Sequence, residues 1–409
     1  MGKVGVNILV NAEASMGVHL IADSKNIFWK LDAQPFNRNE IRRLMSWKRG
    51  SGKPKPRPNF SSPGVTSQSV DSLREEIKVL ETVLSSSKHR WMVIDATSMP
   101  SDQDYLLIKS MMGCAAYCTV NKSPWTDFSK CKNLFSTASS TGSLLGLNCT
   151  SGVWSDQFES IPLALREIRK IRQLVIEKRD NSSLNSFFSL LNKGMSAESA
   201  ISRVESVGHL EPGAVNGFVA EIKDLENKAK IIANISGATL KITPKKARME
   251  DSSTPDFSSP EEIAQWYLEG KKLGRYRAPR SQLRIDFDGR EILTKMEYND
   301  MAKTHLLSRG FPWKCAFTMR TEKQSPREGF LGVGYGGAEK TAKKILWEVN
   351  RSKELLMNPS FNREELGQPL PVLAELVLHQ DSAIRLKSVL HDKLGFSNEP
   401  SLTPRPETR

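Results

Sequence analysis

Lys230 stands four residues after Glu226 in the segment Glu221-Ile222-Lys223-Asp224-Leu225-Glu226-Asn227-Lys228-Ala229-Lys230. On a helix that spacing places carboxylate and ammonium on one face. Such a pair is either an ordinary surface ion pair, worth about 0.3–0.5 kcal/mol, or, with the lysine pKa lowered, a group able to move a proton. Asn121-Lys122 closes an apolar run, where a solvated turn and a binding site are equally good readings. Thr97 and Ser98 close another. If both runs are parallel strands, these four residues lie at carboxyl ends, where open α/β sheets bind ligands. At the start of the chain, Gly2-Lys3-Val4-Gly5 reads as the second half of a G-x-G-x-x-G turn, and Asp23 falls 18 residues after Gly5. An acid near that position holds the ribose of a bound dinucleotide.

The elements that must position these groups alternate between strand and helix. VHLIADS (18–24) and RWMVIDATS (90–98) are short apolar runs ending in polar residues, and AAYCTVNKS (115–123) is a third. Between them, DSLREEIKVLETVLSSS has apolar residues at helical spacing behind an Asp cap, and YLLIKSMMGC is a helix closed by Gly113. The series predicts a parallel sheet. Val4, Val6, Ile8 and Val10 alternate like a strand, but only about seven residues separate them from VHLIADS. A parallel crossover needs about a dozen, so Val4 to Ala14 is read as a helix, with strand one and the first glycine of the turn lying upstream of Met1. Further on, IPLALREIRKIRQLVIEKRD, SAESAISRVESVG and EIKDLENKAKIIANISG read as helices, and 247–262 as a linker. A helix (EEIAQWYLEGKKL), strands around SQLRIDFDG and WKCAFTMRTE, and a glycine-rich turn opening a helix (FLGVGYGGAEKTAKKILWEV) follow.

Composition narrows the class. The 409 residues suffice for two or three domains, and 38% hydrophobic with 26% charged residues suits a globular protein. No run of about 18 apolar residues exists to span a membrane, and the N-terminus lacks the features of a secretory signal. Five cysteines, an odd number, point to reduced thiols and a cytoplasmic protein. Without secretion, the glycosylation patterns at Asn148 and Asn181 are chance matches. Cys114 and Cys118 have the wrong spacing for a zinc knuckle and no histidine nearby, so no metal site is expected. The net charge of +13 is concentrated partly in eight Lys/Arg between Arg38 and Arg57. These fall in a Pro/Gly/Ser-rich stretch, read as a solvated insertion rather than a nucleic-acid arm.

Several segments, in order, resemble homoserine dehydrogenase. Asp95-Ala96-Thr97-Ser98 is similar to the family's D-x-T-S, and Thr119-Val120-Asn121-Lys122 to its T-x-N-K. NSSLNSFFSLLNKG is similar to N-G-T-x-N-Y-I, and GMSAESAISRVESVGHLEP to the helix leading into G-Y-x-E-P/A, with Glu211 at the glutamate. Glu221 to Lys230 is similar to D-(I/L)-x-G-x-D-x-x-x-K, and GGAEKTA to G-A/G-E-x-T-A. The resemblance covers about residues 1–350.

It implies an α/β fold: a Rossmann-like NAD(P)-binding domain (1–133) and an α+β catalytic and dimerisation domain (134–325). A glycine turn and helix (326–350) would return to the first domain. Beyond the resemblance, an amphipathic helix and a Pro/Thr-rich end make 351–409 a helical and disordered extension. It implies a homodimer that interconverts L-homoserine and L-aspartate 4-semialdehyde, in the route to threonine, methionine and isoleucine, with NADP or NAD as cofactor. Asp23 favours a free ribose hydroxyl, and Lys25 suits a 2′-phosphate. In this family Lys122 and Lys230 would be catalytic, and Glu211, Glu221 and Glu226 would bind substrate. Gly2, Gly5, Asp23, Thr97, Ser98, Asn121 and Gly337 would bind the cofactor. Two departures stand out: Glu221 and Glu226 replace aspartates, and Asn148 to Trp154 replaces the cation-holding E-A-T-V-G-A-G loop. A catalytically impaired paralogue with a binding or regulatory role is the alternative, and a basic nucleic-acid binder the third.

Overall fold

The computed structural model describes residues 20–22, 26–29, 36–37, 39–40, 66–69, 72–86, 91–95, 101–114, 116–151, 171–179, 181–206, 217–246, 257–298, 300, 313–321, 327–334, 345, 347–349 and 352. The glycine turn at Gly2 and Gly5, the expected helix Val4 to Ala14, residues 41–57 of the basic stretch and everything after 352 lie outside them, as do residues 247–256 of the expected 247–262 linker, whose last three residues are helical. Two compact units emerge, one running to Val153 and resuming at Gly336, the other spanning Trp154–Tyr335.

The first unit begins with β1 (Leu20–Ala22), β2 (Asn26–Trp29) and β3 (Thr66–Ser69), followed by α1 (Leu73–Ser86). Here the structure corrects the sequence reading. β1, the VHLIADS strand, pairs antiparallel with β2, with Ile21 opposite Phe28, and β2 pairs antiparallel with β3. Only three residues separate β1 from β2, which permits a hairpin and forbids a parallel crossover. Parallel pairing is carried instead by β4 (Met92–Asp95), β5 (Ala116–Thr119) and β6 (Leu144–Gly146), in the order β4-β5-β6. Helix α2 (Ser101–Met111) crosses from β4 to β5, and α3 (Phe128–Thr141) from β5 to β6. Because β6 pairs with β5, the first unit extends past residue 133, where the sequence suggested a boundary. Asp127 caps α3 by accepting from Lys130 N, and Gly142 ends it at φ 71, a left-handed conformation that favours glycine. Tyr117, Trp125, Ile108, Met112 and Leu134 are fully buried between sheet and helices. After the short α4 (Asn148–Ser151), helical residues around Ile345 and Val349 pack on Cys118 and Cys149.

The second unit is a six-stranded sheet with helices. Its elements are β7 (Ile171–Arg179), α5 (Ser182–Asn192), α6 (Ala197–Ser206), α7 (Gly217–Leu240), β8 (Lys245–Lys246) and α8 (Pro260–Lys272). Then come β9 (Arg280–Asp286), β10 (Glu291–Glu297), β11 (Trp313–Thr321) and β12 (Arg327–Gly334), with sheet order β12-β11-β7-β9-β10-β8. Two expectations fail here. The apolar spacing predicts a helix through 171–179, yet these residues form a central strand between β9 and β11. Ile168, Ile171 and Val175 mimic helical spacing, but Leu174, Ile176 and Lys178 alternate into the core, and pairing on both sides outweighs local propensity. Likewise FLGVG belongs to the edge strand β12, not to a turn. The second unit's sheet therefore reaches to Gly334, beyond the boundary at 325.

Leu184, Phe187, Phe188 and Leu191 of α5 pack against Ala200, Val204, Ile222, Leu225 and Tyr267, with Phe188 and Tyr267 stacked at 4.4 Å. Helix α7 turns Ile222, Leu225, Ala229 and Ile232 inward. A stripe recurring every three or four residues buries one side of the helix and leaves the polar side accessible.

Candidate active site

Helix α7 sorts the predicted substrate residues into two groups. Glu226 and Lys230 share a face: Glu226 Oε1 lies 2.8 Å from Lys230 Nζ, and Oε2 lies 2.8 Å from Lys223 Nζ. Burial would raise the Glu226 carboxyl, but hydrogen bonds from both lysines and their charges hold it down at about 2. Nearby, burial together with the Glu226 charge pushes the Tyr298 phenol up to about 12, so it stays a neutral donor.

Glu221 lies five residues earlier, about 140° round the helix at 3.6 residues per turn. It is tied to α5. Asn181 caps that helix, its Oδ1 accepting from Leu184 N at 2.8 Å. Asn181 Nδ2 donates to the Glu221 carboxylate at 2.5 Å and to the Glu221 carbonyl at 3.2 Å, and reaches Asp224 at 3.4 Å. Burial raises the Glu221 carboxyl above its ordinary range; the Asn181 hydrogen bond opposes the shift and the Asp224 charge adds to it. Asp224 also pairs with Lys228 at 2.8 Å. The family resemblance gives Asn181 no role of its own, although an Asn ahead of Ser182-Ser183 is a readable helix cap.

In the first unit, a polar network organises the carboxyl ends of β4 and β5. Asp95 Oδ2 accepts from Tyr117 OH at 2.8 Å and from Thr119 Oγ1 at 2.9 Å. Thr119 Oγ1 in turn accepts from Asn121 N at 2.9 Å, and Asn121 Oδ1 from Ser123 N at 3.1 Å. The side chain of Asn121 is thus fixed, yet its buried Nδ2 has no hydrogen-bond partner among the described residues. A buried donor without an acceptor costs about 1–3 kcal/mol, and such a group at a parallel-strand end fits a nicotinamide dinucleotide. Lys122 follows directly, at the start of a 3-10 turn (Ser123–Thr126) that seats Trp125 in the core. Gly2, Gly5, Asp23, Thr97, Ser98, Glu211 and Gly337 lie outside the described residues. Among the described residues there is no group of three or more His, Cys, Asp and Glu able to hold a metal, and no helix long and apolar enough to cross a membrane.

The parallel sheet of the first unit and the mixed sheet with helices of the second define an α/β fold with a Rossmann-type portion. That fold is the one seen in homoserine dehydrogenases. A hyperthermophilic archaeal homoserine dehydrogenase, solved with NADPH, matches with a TM-score of 0.53 at 17% identity, over 88% of this chain and 96% of its own. A putative homoserine dehydrogenase from Archaeoglobus fulgidus matches at 0.51 and 16%, over 85% and 94%. A Candida auris protein of unknown function matches at 0.57 and 18%, over 86% and 94%. At these identities the likeness is one of fold. No family model matches the sequence, and no curated protein does.

Proposed function

We propose that this chain is a nicotinamide-dependent oxidoreductase that interconverts L-homoserine and L-aspartate 4-semialdehyde. The observation that carries the reading is the Glu226–Lys230 pair, 2.8 Å apart on the accessible side of α7, in a fold shared with homoserine dehydrogenases. Lys230 Nζ would give a proton to the reacting oxygen as the aldehyde is reduced and take that proton back as the alcohol is oxidised, steadying the negative charge on the oxygen in between. Glu226 holds that ammonium in place, which lowers the entropy lost on orienting it. The NADP or NAD nicotinamide, when bound, supplies the hydride acceptor, and the unpaired Asn121 amide at the end of β5 is the group suited to hold it. Glu211 would take the substrate ammonium. Lys122, Thr97, Ser98, Asp23, Gly2, Gly5 and Gly337 keep the roles that the family resemblance implies, a homodimer is the assembly it implies, and the cysteine content favours a cytoplasmic location.

Glu221 favours a second reading. Its half-buried carboxylate accepts from Asn181, a contact that braces α5 against α7 and competes with any bond to substrate. A chain that retains the fold with such a rearranged site suits a catalytically impaired paralogue. Incubating the purified full chain with L-homoserine and NADP+ or NAD+ decides between them. Homoserine-dependent growth of reduced-nicotinamide absorbance supports the enzyme; its absence in protein that binds the nucleotide supports the paralogue.

A further inference from the structure

Glu226 is shared between two lysines, not one. Lys230 approaches Oε1 from one turn beyond and Lys223 approaches Oε2 from one turn before, each at 2.8 Å. Among the described residues of this face of α7, two ammonium groups share one carboxylate. Each ammonium has three N–H donors, and Glu226 accepts one from each. Lys223 is also the more open of the two, its side chain 60% exposed against 29% for Lys230. Lys228, the other nearby lysine of the helix, is paired with Asp224 on the Glu221 side and does not share this face.

The spacing of the two ammonium groups follows from the bridge between them. The oxygens of a carboxylate are about 2.2 Å apart from standard bond lengths, so the two Nζ atoms stand at most about 8 Å from each other. A four-carbon chain with a carboxylate at one end and a hydroxyl at the other spans about 6 Å between its terminal oxygens. Two tethered ammonium groups no farther apart than that leave room for one end of such a molecule at each.

We propose that Lys223 is the specificity-determining residue that grips the carboxylate of a four-carbon hydroxy acid, while Lys230 takes its hydroxyl. This rests on the oxidoreductase reading for the assignment of the hydroxyl to Lys230. The carboxylate grip itself rests on the Lys223–Glu226–Lys230 bridge. Glu226 also keeps the two cations at a fixed separation that their mutual repulsion would otherwise widen.

Two arms of one experiment test it on the full chain. In steady-state kinetics, Lys223→Ala should raise KM for L-homoserine about 10- to 100-fold, the worth of a hydrogen bond to a charged group, with kcat within about twofold. Lys223→Arg should recover part of the loss. The second arm needs no turnover: calorimetric binding of 4-hydroxybutyrate and of 1,4-butanediol, which differ only in the carboxylate. The unsubstituted chain should bind the acid and not the diol, and Lys223→Ala should abolish the difference. Acid binding that depends on Lys223 in a chain without turnover sustains this proposal and defeats the oxidoreductase reading. Equal binding of acid and diol, failure to bind either, or acid binding indifferent to Lys223 overturns the proposal.

Discussion

Asn181 performs two functions with one side chain, and replacing it separates them. Asn181→Ala removes the oxygen that accepts from Leu184 N, a cap worth about 1 kcal/mol. It also removes the amide that donates to the half-buried Glu221 carboxylate, and a hydrogen bond to a charged acceptor contributes about 1–3 kcal/mol. The expected loss is therefore about 2–4 kcal/mol. Asn181→Asp keeps the capping oxygen but sets a third carboxylate beside Glu221 and Asp224, so its cost comes from the second function alone. That cost should shrink in acid: Glu221 has a raised carboxyl pKa in the folded chain. A raised acid is stabilising below its unfolded pKa and loses that contribution as pH rises through the folded value. Urea unfolding followed by circular dichroism measures each variant, with Glu221→Gln completing a double-mutant cycle. Coupling of at least about 1 kcal/mol between positions 181 and 221 is expected; additivity within about 0.5 kcal/mol would refute the link between α5 and α7.

Other outcomes follow from the same geometry. Glu226, held down at about 2, has the opposite sign to Glu221: its stabilisation is present above pH 4.5 and lost as pH falls from there towards 2. The full difference from the ordinary value of 4.5 corresponds to at most about 3 kcal/mol, and solvent around the exposed Lys223 screens this to ~1–2 kcal/mol. Acid titration of Glu226→Gln should therefore show a flatter loss of stability between those pH values; an unchanged acid limb contradicts the bridge. Gly237→Ala would bring a Cβ to 2.5 Å from the Ile242 carbonyl oxygen and 2.7 Å from the Pro244 ring, which should cost about 1–3 kcal/mol and lower the thermal midpoint. Lys241, at φ 59 just past α7, occupies a backbone region costly for side chains, so Lys241→Gly should raise stability by about 0.5–1 kcal/mol; a fall would show that the lysine side chain matters more than its backbone.

Strands β4 and β5 of the first unit were legible because RWMVIDATS and AAYCTVNKS are compact apolar runs closed by polar residues; β5 is buried throughout and β4 half-buried, while Thr97 and Ser98 lie outside the described residues. The hairpin of β1 and β2 was not, since VHLIADS carries no mark of its partner and NIFW is too short to announce a strand. Strand β7 was hidden by its charges. Glu177, Lys178 and Arg179 look like one side of a solvent-exposed helix, yet Lys178 and Arg179 are buried and Glu177 pairs with Arg280 at 3.1 Å. Local sequence cannot announce a salt bridge between residues 103 positions apart. The Glu226–Lys230 pair was readable from helical spacing alone. The reach of Asn181 to Glu221, across 40 residues, depends on how α5 packs against α7, which no short-range pattern encodes.

Single-turnover hydride transfer in Lys230→Ala, compared with the unsubstituted chain at saturating homoserine and NADP+, tests the central claim most directly. The lysine is expected to steady the developing charge on the reacting oxygen, so its removal should slow the step by about 100-fold or more. NADP+ affinity should stay within about threefold, because the strand-end network of Asp95, Thr119 and Asn121 is untouched. A rate within a few-fold of the unsubstituted chain, with nucleotide bound, would contradict the account.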